Sequence, residues 1–188
     1  MAKIIIGIAG EIASGKDTAG KYLAERYQAL SLRFSQPLRD ILDRMHLPQD
    51  REHMAKLSLH LRQAFGEDIF SKVIMAEANR GTENLVVVDG VRRLPDILHL
   101  ESEEHFYFVY VEASSETRYD RLTKRRQNID DATKTPVQFE KDAQLETERQ
   151  IRDLKDRADF VVNNDGSLEE LQKQLDEIVA KVQKESGV

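Results

Sequence analysis

The residues Gly10-Glu11-Ile12-Ala13-Ser14-Gly15-Lys16-Asp17-Thr18 follow directly on the apolar run Ile4–Ala9 and lead into an amphipathic segment, Lys16–Tyr27. They nearly match GxxxxGK[ST], a loop between strand and helix whose backbone N–H groups and helix N-terminus face a polyphosphate. Lys16 adds a mobile charge, and glycines let the main chain approach closely. Gly10, Ala13, Ser14, Gly15, Lys16, Asp17 and Thr18 are therefore the expected binding residues for ATP. Asp17 departs from the pattern, because a hydroxyl normally stands there. A bare carboxylate beside a triphosphate is repelled at short range. A metal between them removes the conflict, since Mg²⁺ takes hard oxygens from one or two carboxylates, water and phosphate.

Bulk properties narrow the classes. A chain of 188 residues suits one domain with small insertions. Its net charge of -6 argues against a nucleic-acid partner held by the general field, so phosphate ligands are captured locally. With no cysteine there are no disulfides and no thiol chemistry, which fits a cytoplasmic location. Nothing resembles an export signal, because the first apolar run is short and interrupted by Gly7 and Gly10. No membrane association is expected.

Hydrophobic periodicity predicts the remaining elements. A second strand is expected at residues 31–34, then a short helix with Ser35 at its N-cap, Pro37 in its first turn and Leu38, Ile41, Leu42 and Met45 as its stripe. Another helix covers residues 50–65 with Met54, Leu57, Leu61 and Phe65 inward, and residues 69–79 continue helically. Leu85–Asp89 and 106–111 read as strands covered on both faces. A basic helix follows at 114–126, a polar stretch at 127–135, and a long charged helix at 136–155. Residues 160–162 form a last strand, and Ser167 with Glu170 makes a capping box before a terminal helix. Alternating strands and helices imply a parallel sheet with right-handed crossovers. His53 and His60 are two helical turns apart, about 10 Å, too far to share one ion.

Three further segments carry arginines. Val88-Asp89-Gly90-Val91-Arg92-Arg93 puts a carboxylate at a strand's carboxyl end, where open α/β sheets bind ligands. It resembles the DGFPR segment of adenylate kinases and related nucleoside monophosphate kinases, with Arg92 in place of the proline. Phe34-Ser35-Gln36-Pro37-Leu38-Arg39 looks like the acceptor-side helix of those enzymes, and Asp120-Arg121-Leu122-Thr123-Lys124-Arg125-Arg126 is similar to the helix that opens their lid. Arg118, Arg121 and Arg125 share a helical face. The resemblance implies a three-layer α/β/α P-loop kinase fold with a parallel five-stranded sheet. It implies one domain over 1–188: a core of 1–34, 82–117 and 156–188, an acceptor-binding helical insert at 35–81, and a short lid region at 118–155. It also implies roles. Arg39, Arg92 and Arg93 hold the acceptor, with Arg92 and Arg93 not separable by sequence. Arg121 and Arg125 hold the transferring group, and Asp17 and Asp89 hold Mg²⁺. Lys16, Asp89, Arg93, Arg121 and Arg125 form the expected catalytic set. The plain alternatives are a turn cap for Asp89, a solvated surface residue for Arg39 and a nucleic-acid patch for the basic helix.

Gly15-Lys16-Asp17-Thr18 and the terminal Asn164-Asp165-Gly166-Ser167-Leu168-Glu169-Glu170-Leu171 resemble bacteriophage-type deoxynucleoside monophosphate kinases, and the run from Ala158 to Asn163 also looks like dephospho-coenzyme A kinases. In both groups that turn lies beside the adenine, so a backbone contact from 164–166 to the base is implied. The two acceptors differ in nucleophile. A phosphate is already largely ionised at neutral pH, with a second pKa of about 6, whereas a sugar hydroxyl needs a base such as Asp89 or Asp17. The arginines favour a phosphate acceptor. The expected activity is therefore transfer of the ATP γ-phosphoryl group to a nucleoside or deoxynucleoside monophosphate by a monomer. Dephospho-coenzyme A kinase and a slow ATPase switch are the alternatives.

Overall fold

A computed structural model describes residues 3–125 and 134–187. Its centre is a five-stranded sheet in the order β2-β3-β1-β4-β5. The strands are β1 (Ile4–Ala9), β2 (Leu30–Arg33), β3 (Leu85–Asp89), β4 (Phe106–Glu112) and β5 (Phe160–Asn163), and every pairing is parallel. Register aligns the carboxyl ends: Ile8 pairs with Asp89, Asp89 with Arg33, and Glu112 with Asn163. The phosphate loop, Asp89 and the turn after β5 therefore open on one edge.

Alternation along β1 splits its side chains between two cores. Ile4, Ile6 and Ile8 pack on α1 (Lys16–Tyr27) and on α9 (Leu168–Ser186), through Leu23, Leu175 and Val179. Ile5 and Ala9 face the opposite layer, where α2 (Gln36–Arg44), α3 (Arg51–Phe65), α4 (Ile69–Arg80) and α5 (Leu94–Ile97) contribute Leu38, Leu61, Ile74 and Ile97. Strands buried on both faces require such continuous apolar runs. Asp50 caps α3 by accepting the His53 N–H at 2.9 Å, and Ser167 and Glu170 cap α9 reciprocally. No described helix is long and apolar enough to cross a membrane.

The helix expected over 136–155 is broken. α7 (Pro136–Ala143) sends Phe139 against Ala13 and against Leu122 of α6 (Ser115–Arg125), whereas α8 (Glu146–Asp153) and the 3₁₀ turn Leu154–Arg157 send Ile151 and Leu154 into the core beside Phe108. One straight helix cannot face both cores, so the chain turns at Gln144 and Leu145. Two smaller expectations also shift. Phe65, expected inward, is 62% exposed while neighbouring Arg62 is buried, and Ile41 and Met45 lie outside the buried stripe of α2. Most of the expected lid stretch, residues 127–133, lies outside the described residues.

Candidate functional site

The loop between β1 and α1 is shaped by close approaches. A Cβ on Gly10 would collide with the Val111 carbonyl and the Ser14 hydroxyl, and one on Gly15 would collide with the Asn164 amide. Gly15 also adopts φ 97°, in the left-handed region that favours glycine. Asn164, itself buried, donates from Nδ2 to the Ser14 carbonyl at 2.7 Å, so the turn after β5 straps the loop in place. No side chain among the described residues caps α1, which leaves its positive N-terminus available to an anion.

Lys16 opens α1 with its side chain only 18% exposed, and its Nζ lies 3.8 Å from Asp17 Oδ1. Burial pushes its ammonium below the usual lysine range, while the charges of Asp17 and Asp89 oppose that fall. Asp89 behaves conversely. Burial and then the Asp17 charge push its carboxyl up, with Arg33 and Lys16 opposing. Arg33 Nη2 meets Asp89 Oδ2 at 3.0 Å. The other oxygen, Oδ1, is buried and has no partner among the described residues. Two carboxylates that repel one another, one with an unsatisfied oxygen, suit a hard divalent cation. Among the described residues no group of three or more ligating side chains could hold a metal alone, so phosphate and water would complete the shell. Thr18 lies exposed on the same first turn.

The expected arginines divide. Arg121 Nη1 approaches the Ser14 carbonyl at 3.5 Å, at the loop itself. Arg92 is exposed on the turn after Asp89, and its positive charge adds to the lowering of the Lys16 ammonium. Arg93 is held by Glu67, Nη1 to Oε2 at 3.5 Å, and Arg39 by Gln49 at 3.2 Å. Arg125 ends α6, and its side chain lies outside the described residues. The fold thus gathers Lys16, Asp17, Asp89 and Arg121 at the loop, leaves Arg92 exposed on the turn after Asp89, and gives Arg93 and Arg39 partners on the helical insert.

Several residues at the site escaped sequence reasoning. Arg33 ends β2 as an ordinary outward strand residue, and only the β2–β3 register sets it beside Asp89. Glu148 of α8 accepts the Ile12 N–H at 3.3 Å, touching the loop where an anion would bind. Glu11 is gripped by Arg118 at 3.4 Å and by Arg152 at 3.2 Å, which ties α6 and α8 to the same loop residue. Arg118 is buried against the Phe139 ring at 5.5 Å and also donates to the Ala113 carbonyl. Its role here is to hold the loop. Asn164, expected near the base through its backbone, also uses its side chain on Ser14. The signal available for it was the Asn-Asn-Asp-Gly turn.

A family model described as an AAA domain, AAA_18, matches residues 6–151. The chain belongs to the AAA_18 family. The AAA_18 match spans the phosphate loop, the Asp89 turn and the arginine helix together. Among curated relatives, a UPF0200 protein of Methanocaldococcus jannaschii is 27% identical over 181 residues, covering 95% of this chain and 90% of its own. Among solved structures, TT1252 from Thermus thermophilus superposes with a TM-score of 0.61 at 23% identity, covering 96% and 98% of the two chains. A gluconokinase from Sinorhizobium meliloti reaches 0.58 at 14% identity, with 98% and 94% covered. The chain has an α/β P-loop kinase-like fold, with a five-stranded parallel sheet flanked by helices.

Proposed function

We propose that this AAA_18 protein moves the γ-phosphoryl group of ATP to a nucleoside or deoxynucleoside monophosphate, giving ADP and a nucleoside diphosphate. One observation carries the reading: Arg121 of α6 reaches the Ser14 carbonyl at 3.5 Å in the loop that carries Lys16, and the charge of Arg92, from the turn after Asp89, also acts on Lys16. Transfer between two polyanions is opposed chiefly by their mutual repulsion, and fixed positive groups offset it. The loop amides and Lys16 bind the donor phosphates. Arg121, with Arg125, clamps the transferring group, and a single such arginine contributes roughly 10³ to 10⁵ in rate. Arg92 holds the acceptor phosphate, and Arg93 and Arg39 join it by exchanging Glu67 and Gln49 for the substrate. Asp17 and Asp89 would hold Mg²⁺, which would supply charge neutralisation at the phosphates. The acceptor oxygen is ionised beforehand, so no strong base is needed.

A second reading, transfer to a sugar hydroxyl as in dephospho-coenzyme A kinases, draws on Asp89: a buried carboxylate with a raised proton affinity and an unengaged oxygen has the character of a general base. The fold shared with a gluconokinase is compatible with it. The protein would act as a cytoplasmic monomer without nucleic acid or membrane. A coupled ADP-release assay tests both readings, with Mg-ATP against all ribo- and deoxynucleoside monophosphates, dephospho-coenzyme A and gluconate. Acceleration by a monophosphate supports the first, acceleration by a hydroxyl acceptor alone supports the second, and acceleration by none overturns both.

A further inference from the structure

Arg62 sits in the last turn of α3, yet its side chain is only 7% exposed. Its Nη2 donates to Asp96 Oδ1 at 2.6 Å, its Nη1 donates to the Glu67 carbonyl, and its guanidinium lies 4.8 Å from the centre of the Phe70 ring. Asp96 is more deeply covered still, at 3%. Its second oxygen accepts two backbone N–H groups, that of Arg92 at 3.0 Å and that of Arg93 at 3.1 Å. One buried carboxylate therefore holds the peptides of both arginines, and one buried guanidinium holds the carboxylate.

Such a pair is a poor way to gain stability. Removing two charges from water costs several kcal/mol per ion, and apolar side chains of similar volume often serve as well. An apolar pair would leave the N–H groups of Arg92 and Arg93 without an acceptor. What the ion pair adds is direction. It fixes the backbone of the turn after Asp89 from which both arginines project, with Arg93 reaching Glu67. It also joins that turn to α3, which belongs to the helical insert between β2 and β3.

We propose that Asp96 and Arg62 are positioning residues that aim the Arg92 guanidinium at the acceptor phosphate and couple its placement to α3; the inference rests on the phosphotransferase reading. Truncating the pair then weakens acceptor capture and leaves donor binding alone, because neither residue touches the phosphate loop.

The full-length chain is tested as Asp96→Asn, Arg62→Lys and Arg62→Met, each checked for folding by circular dichroism. Acceptor KM and kcat come from coupled ADP release, and ATP affinity from calorimetry without acceptor. In Asp96→Asn and Arg62→Met the acceptor KM is expected to rise at least about tenfold while the ATP Kd stays within about twofold, and Arg62→Lys should recover much of the KM. Combining Asp96→Asn with Arg92→Lys should add little to either alone, since both act through one guanidinium. An unchanged KM in a folded variant, equal losses for ATP and acceptor, or fully multiplicative effects would overturn the proposal. Amide hydrogen exchange at Arg92 and Arg93 decides the positioning half without turnover: exchange in Asp96→Asn or Arg62→Met at the wild-type rate would overturn it. A wild-type protein that uses no acceptor would instead overturn the functional reading.

Discussion

Asn164 Nδ2 donates to the Ser14 carbonyl at 2.7 Å, fastening the phosphate loop to a residue 150 positions later in the chain. Asn164→Ala would leave that buried carbonyl with only the long 3.5 Å approach of Arg121, a loss of about 1–3 kcal/mol. Gly15→Ala should cost more, because its backbone is left-handed and its new methyl would strike the same amide. Urea unfolding measures both, and nucleotide titration should show weaker binding in each. An Asn164→Ala protein as stable and as tight-binding as wild type would rule out the strap.

Glu148 competes with the ligand for the Ile12 N–H and adds negative charge near Lys16. In titrations without Mg²⁺, Glu148→Gln is therefore expected to bind ATP a few-fold more tightly, roughly the effect of removing one partly screened charge. Weaker binding would mean that Glu148 supports the loop instead of competing for it.

Burial of the Asp89 carboxyl costs stability. An acid whose carboxyl is pushed up on folding loses stability as pH rises from its unfolded pKa through the folded one, so at neutral pH the ionised side chain is a net cost. Asp89→Asn should raise the urea midpoint, since half-exposed Arg33 returns to water, yet it should lower turnover at least about 10²-fold. Mg²⁺ should stabilise wild type and not the variant. Asp17→Ala should weaken use of Mg-ATP more than binding of metal-free nucleotide, and equal losses with and without Mg²⁺ would remove Asp17 from the metal site.

Acid should weaken the fold at two surface carboxylates. Asp165 is held down to about 2, first by the Ser114 N–H and then by the Thr117 and Ser114 hydroxyls, and Asp68 is also held at about 2, first by His99 and then by Lys72. Lowered values mean stability that is present above the ordinary 3.8 and lost as pH falls towards 2. Thermal midpoints should drop across that window, and Asp165→Asn should flatten part of the drop. A variant with an unaltered slope would show that the Ser114 contact contributes nothing.

Much of the fold was legible because local rules govern it. The apolar runs of β1, β3 and β4 announced strands covered on both faces, and the Ser167–Glu170 capping box fixed the start of α9 within the sequence itself. Sequence could not break the 136–155 helix, because the reason for the break is that Phe139 and Ile151 face different cores. It also misjudged Phe65, which is exposed while neighbouring Arg62 is drawn inside by a tertiary partner, Asp96. The loop residues announced themselves by spacing. Arg33 and Glu148 did not, since each reaches the loop region only through sheet order or a distant helix, and Arg92 and Arg93 separate only once Asp96 and Glu67 have set the turn.

Following the label of [γ-³²P]ATP tests most directly whether two anions meet above Lys16. With Mg²⁺ and the preferred monophosphate, label should pass to the acceptor, slow sharply in Arg92→Met and Arg121→Met, and barely reach inorganic phosphate when acceptor is withheld. Release of label as inorganic phosphate at one rate, with or without acceptor, would contradict phosphoryl transfer and leave the protein an ATPase.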